Sequence, residues 1–288
     1  MTSPSPGASP RIVPQRFDLE GALGRTIRGE LRLVPDARAS VVLVHGFKGF
    51  ARFAFFPYLA DRLAEAGITS VTFNFSGSGV GEDMESFSDP EAFEENTYTR
   101  ELHDLGIVLA EGERNGWIAP QHGLFGHSRG GGIAILRAAR DVRIHALATW
   151  ATISTVKRWP TDIADEWRTT GEFPVENART KQVFKLRTAV LDEATEYGDG
   201  MLDVTRAAET LLCPWLIVHG DEDETVQIGE SEQLARAAGS NATFLRIAGG
   251  THTFNVAHGM ASPSPQLLEA TDRTVRFFVD RLLAPARG

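Results

Sequence analysis

Three residues in this chain are of the types, and stand in the order, that nucleophilic acyl chemistry uses. Ser128 lies within Gly126-His127-Ser128-Arg129-Gly130-Gly131-Gly132, preceded by the apolar pair Leu124-Phe125 and followed by a helix-patterned run over 133–139. A strand therefore feeds a helix through a serine with glycines two residues either side, the pattern of a nucleophile elbow. Such a turn holds the serine in a strained backbone conformation, and a side chain at either glycine would strike the neighbouring strand or helix. In a chain with 28 glycines the bare pattern is weak; the flanking strand and helix give it weight.

A serine hydroxyl is a poor nucleophile at neutral pH. It needs a base to take its proton, and the base needs a carboxylate to fix its tautomer and balance its charge. Asp221 and Asp223 follow the apolar run 214–218, and His252 follows the run 242–247. Acid and base thus stand just past strands, as Ser128 does.

The elements that must bring these loops together are legible as hydrophobic periodicity. Strands are predicted over 16–19, 25–33, 41–44, 69–75, near 123, over 144–150, 214–218 and 242–247. Helices are predicted over 57–66, from 90 onward with Tyr98, Leu102, Leu105 and Leu109 inward, from the elbow to 139, over 229–238 and over 265–283. Val41-Val42-Leu43-Val44 is continuously apolar, as in a strand covered on both faces. The alternation implies an α/β fold with a mostly parallel central sheet and helices on both faces. Over 152–209 the rhythm breaks into a charged, aromatic segment with Trp159, Trp167, Phe173 and Phe184. Its patterning is helical, and an inserted helical lid over the carboxyl edge of the sheet is expected. The Pro/Ser-rich residues 1–15 read as a flexible tail, and 16–288 as one domain.

Composition narrows the partners. With 38 acidic against 29 basic residues and a net charge of -9, neither a nucleic-acid surface nor a polybasic membrane patch is expected. No apolar run approaches a membrane span and the first fifteen residues lack the apolar centre of a secretory signal, so the expected address is the cytoplasm. The single cysteine, Cys213, cannot form an intramolecular disulfide and reads as a small buried hydrophobe before a strand. No histidine pair has zinc-site spacing, so no metal is expected. The turn 76–81 is glycine-rich, but its spacing is G-x-G-x-G and no helix opens until about residue 90, so no cofactor is expected there. His103 and His145 read as structural, His127 as packing behind the nucleophile, and His258 as a second possible base that lacks a strand-end position.

Five landmarks together resemble one superfamily: Val44-His45-Gly46-Phe47, Asn74-Phe75-Ser76-Gly77, Gly126-His127-Ser128-Arg129-Gly130-Gly131, His219-Gly220-Asp221-Glu222-Asp223 and Gly250-Thr251-His252-Thr253-Phe254. From about Arg16 to the C-terminus the chain resembles serine hydrolases of the α/β-hydrolase superfamily, whose triad order is Ser, Asp, His. Within it, the chain is most similar to bacterial cinnamoyl/feruloyl-type esterases, dienelactone-hydrolase-like proteins and serine aminopeptidase-like proteins. The resemblance implies Ser128 as nucleophile and His252 as general base and then acid. Of the two acids it selects Asp223, three residues past Gly220 and three before Val226, leaving Asp221 to shape the loop. It also implies an oxyanion hole from the backbone N–H groups of Phe47 and Arg129, whose side chains are then free to meet substrate. The implied activity is hydrolysis of a small-molecule carboxylic ester through an acyl-enzyme. A peptidase or amidase, or a thioesterase, would use the same triad, the last with Lys181, Lys185 and Arg187 as a basic patch for coenzyme A. A non-catalytic binding module has no use for a strained serine.

Overall fold

In the computed structural model, residues 12–177 and 179–284 are described. The chain enters through an antiparallel pair, β1 (Gln15–Glu20) and β2 (Thr26–Arg32). It then alternates: β3 (Ala39–Val44), α1 (Phe56–Glu65), β4 (Thr69–Asn74), α2 (Pro90–Glu94), α3 (Tyr98–Arg114), β5 (Gln121–His127), α4 (Arg129–Ala138) and β6 (Ile144–Trp150). An insertion follows, comprising α5 (Thr161–Thr170), β7 (Glu172–Glu176), β8 (Val183–Arg187), α6 (Ala189–Tyr197) and α7 (Val204–Glu209). The core resumes with β9 (Trp215–Gly220), α8 (Ile228–Ala238), β10 (Ala242–Ile247) and α9 (Pro265–Phe278).

The main sheet runs in the order β1-β2-β4-β3-β5-β6-β9-β10, antiparallel across β1-β2 and β2-β4 and parallel from β4 onward. Successive strands leave β3 in opposite directions, β4 on one side and β5 on the other. A crevice opens at the carboxyl ends of strands where the order reverses. The strict alternation within β3 feeds two cores. Val42 and Val44 pack with Val71, Leu124, Ile133 and Leu105 on the face of α3 and α4. Val41 and Leu43 pack with Leu59, Leu63, Leu267 and Phe278 on the face of α1 and α9. All four β3 side chains are at most 1% exposed, so a polar replacement there would be buried without a partner on either face.

Two expectations are corrected. The helix foreseen from residue 90 is two helices. Asp89 caps α2 through Ala92 N–H at 3.0 Å, the chain breaks at Asn96, and Thr97 caps α3 through Arg100 N–H at 3.4 Å. Asn and Thr favour such a break because their side chains compete for backbone groups and prefer caps to helix interiors. The insertion is not helical throughout: β7 and β8 form an antiparallel hairpin. Its signal was a period of two, with Phe184 and Leu186 buried between exposed Val183, Lys185 and Arg187. Phe184 packs on Phe93 of α2, ring centroids 4.4 Å apart, which fixes the hairpin to the body, and Trp167 of α5 donates its indole N–H to Leu186 O at 3.0 Å within the insertion. Three basic residues on it are paired: Lys181 with Glu176, Lys185 with Glu172 and Arg187 with Glu95.

The tail foreseen over 1–15 lies outside the described residues as far as residue 11, and Gln15 already pairs with Leu31. No helix among the described residues is long and apolar enough to cross a membrane.

Candidate active site

Ser128 sits between β5 and α4 with φ 57° and ψ -124°, a strained backbone for a residue with a side chain. The turn is closed from behind: Ser128 N–H donates to Trp150 O at 2.9 Å, and Gly131 N–H to Ser128 O at 3.0 Å. The glycines are required by contact. A Cβ on Gly126 would lie 2.5 Å from Gly130 O and 2.7 Å from Gly131 Cα, and one on Gly130 would strike the carbonyls of Val44 and His45.

The loop after β3 faces the elbow. Gly49 N–H closes a turn on Gly46 O at 3.0 Å, with Lys48 held at φ 59°. His45 braces it, donating from Nδ1 to Gly46 O at 2.9 Å and accepting from Phe75 N–H at 3.4 Å on Nε2. Burial keeps this ring neutral, its pKa pushed down to about 4. A Cβ on Gly46 would come 2.9 Å from Ser128 Cβ and 3.4 Å from its Oγ, so the serine points to this loop. Among the described residues no protein acceptor takes the N–H of Phe47 or of Arg129, and both residues line the same cavity as Ser128.

His252 and Asp223 arrive from the loops after β10 and β9. His252 Nδ1 lies 2.8 Å from Asp223 Oδ2. The other carboxylate oxygen accepts from Thr225 N–H at 2.8 Å and Val226 N–H at 3.0 Å. His219 Nε2 stands 3.2 Å from Asp223 Oδ2 and 2.9 Å from Val226 O, while its Nδ1 meets Ser231 Oγ at 2.7 Å. Burial alone would raise the Asp223 pKa; the hydrogen bonds from His219 and His252 and the charge of His252 outweigh it and hold the carboxyl well below the usual carboxylate range. Asp221 faces elsewhere, accepting from Gly249 N–H at 2.7 Å and pairing with Arg246 at 3.2 Å.

With Nδ1 turned to Asp223, Nε2 is the free nitrogen of a ring that lines the cavity together with Ser128. The Ser128 hydroxyl makes no hydrogen bond to it here; such contacts are often long without substrate and tighten on binding. The cavity encloses about 470 Å³. A larger one, about 740 Å³, lies at the amino ends of the strands, where the Ser40 hydroxyl is bound to Trp117 O and to Ala119 N–H; it offers no activated nucleophile. Among the described residues no cluster of three or more His, Cys, Asp and Glu side chains could hold a metal ion.

Residues 41–262 match the model of the alpha/beta hydrolase family. The chain belongs to that family. The 2,6-dihydropseudooxynicotine hydrolase of Paenarthrobacter nicotinovorans is 27% identical to this alpha/beta hydrolase over 190 residues, 66% of this chain and 46% of that protein; the match thus spans under half the length of the relative. Est1E from Butyrivibrio proteoclasticus, in its ferulic-acid-bound structure, shares the fold with a TM-score of 0.69 at 20% identity, over 93% of this chain and 100% of its own. Alpha/beta hydrolase GrgF from Penicillium sp. sh18 does so with a TM-score of 0.73 at 14% identity, over 94% and 100%.

Three contacts at the site of this alpha/beta hydrolase were invisible in the sequence. Glu101, on α3, accepts from Arg129 Nε at 3.0 Å and from Asn96 Nδ2 at 2.7 Å. Tyr98 lies under the Arg129 guanidinium, 3.9 Å from ring centroid to Cζ. The Arg129 side chain, expected to be free for substrate, is therefore held on two sides and only 6% exposed. Burial pushes the Glu101 pKa up, and the charge of Arg129 opposes it. His127 donates from Nε2 to the carbonyl of His252, a role that no local pattern announces across 125 residues. His258, the other possible base, meets the Phe50 ring edge to face and lies 3.6 Å from Glu85, outside the cavity lining.

Proposed function

We propose that this protein is a serine hydrolase that cleaves a carboxylic ester of a small molecule through an acyl-enzyme. The observation that carries the reading is the Asp223-His252 pair at 2.8 Å, presented to the cavity into which the strained Ser128 turn opens. Substrate enters with its carbonyl carbon at Ser128 Oγ. His252 Nε2 takes the hydroxyl proton as Oγ bonds to carbon, and Asp223 balances the imidazolium. The carbonyl oxygen becomes an oxyanion and accepts from the N–H groups of Phe47 and Arg129, each worth roughly 3 kcal/mol in the transition state. Collapse expels the alcohol, protonated by His252. Water, deprotonated by the same ring, then attacks the acyl-serine and frees the acid.

The ester preference is supported by a wall of Phe47, Phe53, Phe56, Tyr98 and Trp159, which suits an apolar or aromatic acyl or alcohol group. The test is hydrolysis of p-nitrophenyl acyl esters, aromatic methyl esters and aminoacyl anilides by the wild type and by Ser128→Ala, with a chelator present. Ester turnover abolished by the substitution is expected. Cleavage of anilides alone would replace the esterase with a peptidase, and activity that survives in Ser128→Ala would remove the serine mechanism.

A further inference from the structure

The cavity is charged unlike the chain around it. The sequence holds 38 acidic against 29 basic residues, yet the cavity wall contains Lys48, Arg129, Arg158 and Arg179 and no aspartate or glutamate. Two of these cations are balanced from outside the wall. Arg158 Nη1 lies 2.6 and 2.7 Å from the two carboxylate oxygens of Glu230, and Arg129 Nε is bound to Glu101. The other two are not. Lys48 Nζ donates to the Glu176 carbonyl at 3.2 Å and Arg179 Nη2 to the Glu85 carbonyl at 3.4 Å; among the described residues neither has a carboxylate within ion-pair distance.

Arg129 adds an independent observation. Its Nη2 is buried without any hydrogen-bond partner, in a residue 94% buried that follows the nucleophile and lines the cavity. A buried N–H of a charged group left without an acceptor is costly; with no exposed surface, this nitrogen acts on the cavity through the guanidinium charge and not by contact. Lys48 and Arg129 both stand near the Phe47 ring, 5.9 and 5.6 Å from its centroid, so the charge gathers next to the oxyanion loop.

We propose that the substrate is an anionic ester, with a carboxylate carried on an apolar or aromatic body, and that Lys48 and Arg179 receive the carboxylate. The proposal rests on the esterase reading and names its substrate class. A carboxylate has two oxygens matched to a guanidinium edge and a lysine ammonium, and the aromatic wall takes the body of the molecule. Because Lys48 and Arg179 are in contact with solvent, the attraction is moderate and weakened by salt.

The test compares methyl 4-carboxycinnamate with methyl 4-methylcinnamate, at about 20 mM and about 500 mM NaCl. The account expects kcat/KM to favour the anionic ester about tenfold at low salt, the preference to shrink at high salt, and the ratio to fall to about 2 or below in Lys48→Met/Arg179→Met. Equal kcat/KM for the two esters at low salt, or a ratio untouched by the double substitution, overturns it. A second arm needs no turnover: calorimetric binding of methyl 4-carboxycinnamate and of its amide, methyl 4-carbamoylcinnamate, to Ser128→Ala. Tighter binding of the acid by about tenfold, lost when Lys48→Met and Arg179→Met are added, supports the anion site even if no ester is hydrolysed, in which case the esterase reading alone fails. Equal binding of acid and amide with ester turnover intact overturns the anion site and leaves the esterase standing.

Discussion

The imidazole of His127 donates from Nε2 to the backbone carbonyl of His252, 2.9 Å away, with the two rings 4.6 Å apart. The residue before Ser128 therefore holds the loop that carries His252. Burial keeps the His127 ring neutral, with its pKa pushed down to about 3, so the other nitrogen carries no charge to compete with the imidazolium that forms on His252. In the proposed mechanism His127 positions the base without touching the reacting atoms.

His127→Phe keeps a ring in place and removes this donor. One lost hydrogen bond to a loop, about 1 kcal/mol, translates into a fall in kcat of about fivefold. KM is expected to move less than kcat, and His127→Gln, which retains a donor, to recover part of the loss. Steady-state kinetics of the two variants decide it; equal losses in both would reduce His127 to a packing residue.

Thermal stability should fall between pH 7 and pH 5. Burial lowers His45 to about 4 and His127 to about 3, against an ordinary value of 6.5. Below pH 6.5 the unfolded chain therefore binds protons that the folded chain refuses, and each ring removes about 2 kcal/mol by pH 5. Asp223 works in a lower window: its depressed carboxyl stabilises the fold above the ordinary value of 3.8 and loses that contribution only below it. Melting temperature against pH reads both, and His127→Phe should flatten the slope between 5 and 7.

Much of this was legible along the chain and some could not be. Val41-Val42-Leu43-Val44 announces a strand buried on both faces because its environment is uniform, and Gly126 and Gly130 announce close backbone approach because nothing else fits there. The β7-β8 hairpin was hidden because its period of two is written in only two buried residues on β8, Phe184 and Leu186, among charges that suit a helix equally well. The Arg129-Glu101 pair joins residues 28 apart, and the His127-His252 bond residues 125 apart. Contacts of that kind are set by packing between elements, and no local spacing records them.

Asp223→Asn should lower kcat by about 10⁴, since an amide in that place favours the wrong tautomer of His252. Asp221→Asn removes only a loop contact to Arg246 and weakens the acceptor of Gly249 N–H; its cost should appear as a melting temperature lowered by a few degrees with kcat within about threefold. Parallel assays with one ester separate the two, and a reversed ranking would transfer the acid role to Asp221.

Gly46→Ala places a methyl 2.9 Å from Ser128 Cβ and 3.0 Å from His127 O. The loop must shift, at a cost of about 1–3 kcal/mol in stability. Because the shift carries the Phe47 N–H away from the oxyanion position, kcat is expected to fall about 10²-fold. Denaturant unfolding and kinetics on one preparation check both numbers.

The buried pair of Glu101 and Arg129 should behave as a unit. Glu101→Leu leaves the guanidinium uncompensated and is expected to cost about 3–5 kcal/mol, while Glu101→Leu with Arg129→Met costs less than the sum of the single changes. A double-mutant cycle by urea unfolding measures the coupling; additive effects would mean that Asn96 and Tyr98 alone hold each partner.

The most direct measurement is mass mapping of the protein after reaction with a fluorophosphonate, which only an activated serine attacks, displacing fluoride. A single adduct is expected on the peptide containing Ser128, absent from Ser128→Ala and formed much more slowly in His252→Gln. No adduct on the folded wild type, or an adduct that persists in Ser128→Ala, would contradict it.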